Sequence, residues 1–137
     1  MKSVLRILVV LSAVSLPLAS VSHARDGIDA SPFAPVVADL LSAFFATETA
    51  CDGLAEIDEL CFFVSPAGAS YLAQQLERVV QEHRPAGLSL GEWRAANGVW
   101  AVELEFGDAR RGSLEVYLAE VTDATVRGVM RYLPAMR

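Results

Sequence analysis

The sequence has no apolar run long enough to cross a membrane. Its longest, Ile7 to Ala19, is thirteen residues with Pro17 near its end, short of the ~20 that a spanning helix needs. Positive charge is scarce: eleven Lys plus Arg stand against seventeen Asp plus Glu, a net charge of −6. That balance suits the chain poorly to nucleic acid or an anionic membrane surface. Lysine occurs once, at Lys2, and the arginine-only remainder reads as codon bias rather than chemistry. A Gly-rich phosphate loop, a metal-ligand cluster and a serine or cysteine nucleophile motif are all missing, so no cofactor and no metal is implied.

What is there begins with a leader. Lys2 and Arg6 precede the apolar run, and Ser22-His23-Ala24 places small residues at the two positions that signal peptidase reads. This predicts a signal peptide over residues 1–24, cut between Ala24 and Arg25, and a single α+β domain over 25–137 that is secreted or periplasmic. The rival reading is an uncleaved anchor, for which the run is short. Removal of Lys2 and Arg6 leaves nine Arg against seventeen acids, a net charge of −8. Behind an export signal, Cys51 and Cys61 are expected to form a disulfide. Nine residues between them fit neither the C-x-x-C redox spacing nor a zinc set. Closing the eleven-residue loop contributes about 3 kcal/mol in the chain-entropy model.

The chain then divides into helical and alternating segments. Arg25 to Ser31 reads as a polar, mobile lead. Val36, Val37, Leu40, Leu41, Phe44 and Phe45 recur at helical steps, predicting a helix from about Pro35 to Thr49. Between the cysteines, Asp52, Glu56, Asp58 and Glu59 make an acidic connector without the spacing of a calcium loop. Leu60 to Val64 reads as a strand, Ser65-Pro66 as a helix start. Ala69, Leu72, Ala73, Leu76, Val79 and Val80 then form the buried stripe of a long amphipathic helix that ends at Pro85 and Gly87. Asn97-Gly98 predicts a type I′ hairpin pairing Ala96 with Val99, Ala95 with Trp100 and Trp93 with Val102. Leu88 and Leu90 fall out of phase with it, which implies a bulge near Gly91. For the last hairpin, a three-residue loop facing Leu118 with Met130 and Val116 with Tyr132 keeps like with like. The sum is a curved antiparallel sheet of four to five strands packed on one long helix, with an extra N-terminal helix.

Candidate chemistry is sparse. After the leader the one histidine is His83, at the end of the long helix, where a partnered histidine favoured by the helix C-terminus is the plain reading. Glu120 keeps the inward parity of Leu114, Val116 and Leu118 and is expected opposite Gly128. A carboxylate aimed into an apolar concavity could serve as acid or base; at the sheet rim it would be wet. Trp93, Trp100, Leu118, Met130 and Tyr132 share its face and are either core or, with Glu120, the lining of a ligand pocket. The opposite face is expected to be solvated, with Glu103, Glu105 and Glu115 near Arg94, Arg127 and Arg131.

The segment FFVSPAGASYLAQQL, inside a helix–strand–long helix–four-strand order, resembles the strand, turn and helix entry of nuclear transport factor 2-like (SnoaL-like) domains. The topology is also similar to the cystatin-like fold. The resemblance implies a sheet wrapped round a helix, with a pocket in the first group. It does not imply activity: the catalytic Asp or His positions of the first group find no match here, and the Q-x-V-x-G loop of cystatin inhibitors is absent. The function expected is a non-catalytic binding module for a small apolar ligand or a protein partner. The alternatives are a small isomerase- or cyclase-type enzyme using Glu120, and a structural protein that dimerises through its N-terminal helix or the open sheet face.

Overall fold

The computed structural model describes residues 23–51 and 58–136. The assigned leader, apart from His23 and Ala24, lies outside the described residues, as do Asp52 and Glu56 of the acidic connector. In chain order the elements are α1 (His23–Asp29), α2 (Ala34–Phe44), β1 (Thr47–Thr49), β2 (Glu59–Val64), α3 (Ala69–Glu82), β3 (Leu88–Leu90), β4 (Arg94–Ala96), β5 (Val99–Phe106), β6 (Ser113–Thr122) and β7 (Thr125–Leu133). The strands form one open antiparallel sheet in the order β1-β2-β7-β6-β5-β3, with β4 also on β5. Its seven strands exceed the four to five expected: the arm before Asn97-Gly98 is split at Gly91–Trp93 into β3 and β4, and β1 forms where the first helical pattern was expected to continue.

The long helix buries the six residues of its apolar stripe but starts later than expected. Ser65-Pro66, joined by a cis peptide bond, belongs to the turn, and the N-cap is Gly68, which has no side chain to offer. The α2 helix stops at Phe44 rather than near Thr49. Phe45 takes the left-handed conformation (φ 52°, ψ 42°), and the Ala46 N–H donates to Leu41 O at 3.0 Å. The β-branched Thr47 and Thr49 suit a strand better than a helix, and here β2 is available to pair with them. The expected mobile lead is instead the α1 helix. Arg25 pairs with Asp29 one turn on at 3.1 Å and with Glu48 across the fold, while Ile28 is wholly buried.

Two hairpins set the sheet. Asn97 (φ 53°) and Gly98 (φ 76°) both take positive φ, as a type I′ turn requires, and Ala96↔Val99 and Ala95↔Trp100 pair as expected. Trp93 does not reach Val102. The strand breaks at Gly91–Trp93, where the Gly91 N–H donates to Glu103 O at 2.8 Å, and β3 resumes with Leu88↔Phe106 and Leu90↔Leu104. This is the phase reset expected near Gly91. The β6–β7 register differs from the expected one: Val116 faces Met130, Leu118 faces Gly128 and Glu120 faces Val126. One extra residue, Val121, bulges between Glu120 and Thr122 before a tight turn at Asp123-Ala124, so the parity holds while the pairing slides by two.

All three helices contribute to a core on one face of the sheet. Val36, Val37, Leu40 and Phe44 of α2 and Ala69, Leu72, Leu76, Val79 and Val80 of α3 join Phe62, Val102, Leu104, Leu114, Val116, Leu118, Val126 and Met130 in one cluster. Gly128 makes room for the Phe62 ring: a Cβ there would stand 2.1 Å from it. That ring in turn lies 5.8 Å from Phe44. Phe33 closes the other end against Phe106 at 4.9 Å and Tyr132 at 5.9 Å.

Candidate functional site

The residues expected to line a pocket lie in different surroundings. Leu118 and Met130 are fully buried core. Trp93 and Trp100 meet edge to face at 6.2 Å, with the Trp93 indole N–H donating to Glu77 on α3 at 3.2 Å. Tyr132 packs at a tilt against Phe33 and its hydroxyl donates to Arg111 O at 3.2 Å. Glu120 is exposed at the sheet rim. Its carboxylate accepts a weak hydrogen bond from the Ala69 N–H at 3.4 Å, in the first turn of α3. Gly68 cannot cap that helix, so a carboxylate from β6 supplies the negative charge that a helix N-terminus favours. This is a structural task. His83 is likewise occupied: its Nε2 lies 2.6 Å from Asp39 Oδ2, joining the end of α3 to α2.

The helix-free face of the sheet is different in kind. Strand registers arrange it in rows that cross the strands. One row is charged: Glu59 on β2, Arg131 on β7, Glu115 on β6 and Glu103 on β5 stand in succession. Arg131 Nε reaches Glu59 at 3.2 Å, and the Tyr117 hydroxyl donates to Glu115 at 2.7 Å. Glu115 as acceptor, then burial, raises the Tyr117 pKa above the ordinary tyrosine value. Glu103 and Glu115 are direct neighbours, a like-charge pair that a sheet does not favour. Glu105 lies one pair further on, opposite Ser113.

Two further rows on this solvated face carry less charge than the mixed-charge expectation implies. The second runs Thr49, Cys61, Val129, Tyr117, Ala101, Arg94, and the third runs Thr47, Phe63, Arg127, Ala119, Val99, Ala96. Each holds one charge among apolar, small and threonine side chains. Phe63 is 37% exposed, Val99 40% and the bulged Val121 55%. A groove of about 550 Å³ runs over this region, with Thr49, Cys51, Cys61, Phe63, Val121 and Arg127 among its walls. The disulfide Cys51–Cys61, Cα–Cα 5.2 Å, forms one end of it. Sequence parity puts these residues outward, yet it cannot say whether another described element lies over them. Val121 was hidden further, because its exposure depends on the bulge.

Among the described residues no group of His, Cys, Asp and Glu could hold a metal ion, and no helix is long and apolar enough to span a membrane. The chain matches no family model, no curated protein and no solved structure.

Proposed function

We propose that this protein is a non-catalytic binding module that takes a protein partner on the helix-free face of its sheet. One observation carries the reading: Phe63 and Val121 are exposed on the walls of one groove and Val99 is exposed in the same row as Phe63, while the side chains of the helix side pack into the core. Exposed apolar groups rimmed by charge mark interaction sites. The adjacent carboxylates of Glu103 and Glu115, in a chain of net charge −6, ask for an arginine- or lysine-bearing rim on the partner. A second copy of this acidic chain meets that requirement poorly. The small-ligand alternative would need Trp93, Trp100 and Glu120 to border a common opening, and the isomerase or cyclase alternative would need Glu120 away from its helix. We further read the β2–α3–antiparallel order as a variant of the cystatin-like arrangement. Export is part of the proposal too: a cut before Arg25 would shorten α1 yet keep the Arg25 contacts to Asp29 and Glu48.

A photo-crosslinker placed at Phe63 or Val99, against one at Gln74 on the exposed side of α3, tests this in the producing cell. The expected product is one protein captured from the sheet face alone. Purified, it should bind at least about tenfold more weakly to the Glu103→Arg, Glu115→Arg variant. Crosslinking equally from Gln74, capture of the chain by itself, or indifference to charge reversal would overturn the reading.

A further inference from the structure

By its own contacts, β1 is weakly held. Its three residues are all exposed, and among the described residues they register only with β2 and the far edge meets no other strand. Glu48 adds an ion pair with Arg25, of the exposed kind that contributes little. What fixes β1 lies just beyond its two ends: Phe44, buried in the core on one side, and Cys51, bonded to Cys61 of β2, on the other. Both cysteines border the outer groove and neither is fully buried.

We propose that β1 is a releasable edge strand whose attachment is set by the redox state of Cys51–Cys61. The reductant is a low-molecular-weight dithiol. Its thiolate attacks one cysteine sulfur, the S–S bond breaks, and the other cysteine leaves as a thiolate that takes up a proton. The second thiol of the reductant then attacks the mixed disulfide, giving a cyclic disulfide and two cysteine thiols; the dithiol loses two electrons and the protein gains them. Three ladder positions without covalent closure do not hold a strand that buries no side chain. Release uncovers β2, six residues long, as the new sheet edge. It also removes Thr49, Ala50 and Cys51 from the groove wall. The release can be read without any partner, so it stands or falls apart from the binding proposal.

Amide hydrogen exchange on the intact protein, oxidised and after dithiothreitol, tests it. In the oxidised protein the ladder amides of β1 and of Cys61–Phe63 should be protected. After reduction the β1 amides should exchange within about tenfold of an unstructured chain, while those in the middle of β5 and β6 stay at least ~100-fold slower. A Cys51→Ser, Cys61→Ser variant should reproduce the reduced pattern without reductant. Retained β1 protection in either sample would overturn the proposal. So would equal loss of protection in β1, β5 and β6, since the disulfide would then stabilise the fold as one unit.

Discussion

The two faces of the sheet are made by the same strands and do opposite work. On β7, Val126, Gly128 and Met130 point inward and are buried, while Arg127, Val129 and Arg131 point outward between them. The inner face is organised by volume: the Phe62 ring occupies the space that Gly128 leaves, and the next layers fit around it. The outer face is organised by rows: one holds four charges, and the rows through Tyr117, Ala119 and Ser113 hold one each. A face kept polar only for solubility would intersperse charge across all four. The concentration of charge in one row is what separates this surface from an idle one.

That contrast can be broken most forcefully from inside. Leu118→Ala removes a fully buried side chain and should lower the unfolding free energy by about 2–5 kcal/mol in urea denaturation. Gly128→Ala should cost about 1–3 kcal/mol, because the new Cβ meets the Phe62 ring. A combined Gly128→Ala, Phe62→Leu variant should recover part of the loss, and no recovery would place the strain elsewhere.

Smaller effects sharpen the contrast at the rim and outside. Glu120→Gln should cost about 0.3–1 kcal/mol through the weakened N-terminus of α3, visible as a small fall in the urea midpoint; a gain in stability would return Glu120 to a buried site. Arg131→Ala should change stability by about 0–1 kcal/mol. The Tyr117–Glu115 hydrogen bond gives a pH signature. Because the folded-state pKa of Tyr117 is raised, its contribution is fully present below the ordinary tyrosine pKa and is lost as pH rises through the folded value. Phenolate absorbance should show one tyrosine titrating late, and Tyr117→Phe should abolish that step.

Much of this architecture was legible because the signals were long. The α3 stripe spans the whole helix, Asn97-Gly98 has few other uses, and two cysteines in one chain leave a single intramolecular pairing. What escaped was local and competitive. Ser65-Pro66 has the composition of a helix start, but the helix begins at Ala69, where Glu120 comes in from a strand fifty-one residues away. Thr47–Thr49 extends a helical pattern in sequence, yet becomes a strand because β2 stands beside it. The Val121 bulge and a turn one residue shorter than expected together slid the last hairpin by two positions, a shift that pairing like with like does not detect since parity is unchanged. The outer groove was unreadable for another reason: alanine, valine and threonine at alternate positions suit an open face and a covered one equally.

The central claim is that the exposed apolar residues outside serve binding and not folding. Urea denaturation of a Phe63→Asp, Val121→Asp double variant measures this directly. The account predicts an unfolding free energy within about 1 kcal/mol of the parent, as for surface substitutions in general. A loss of ~3 kcal/mol or more, comparable to that of Leu118→Ala, would mean that the outer rows belong to the core and would contradict it.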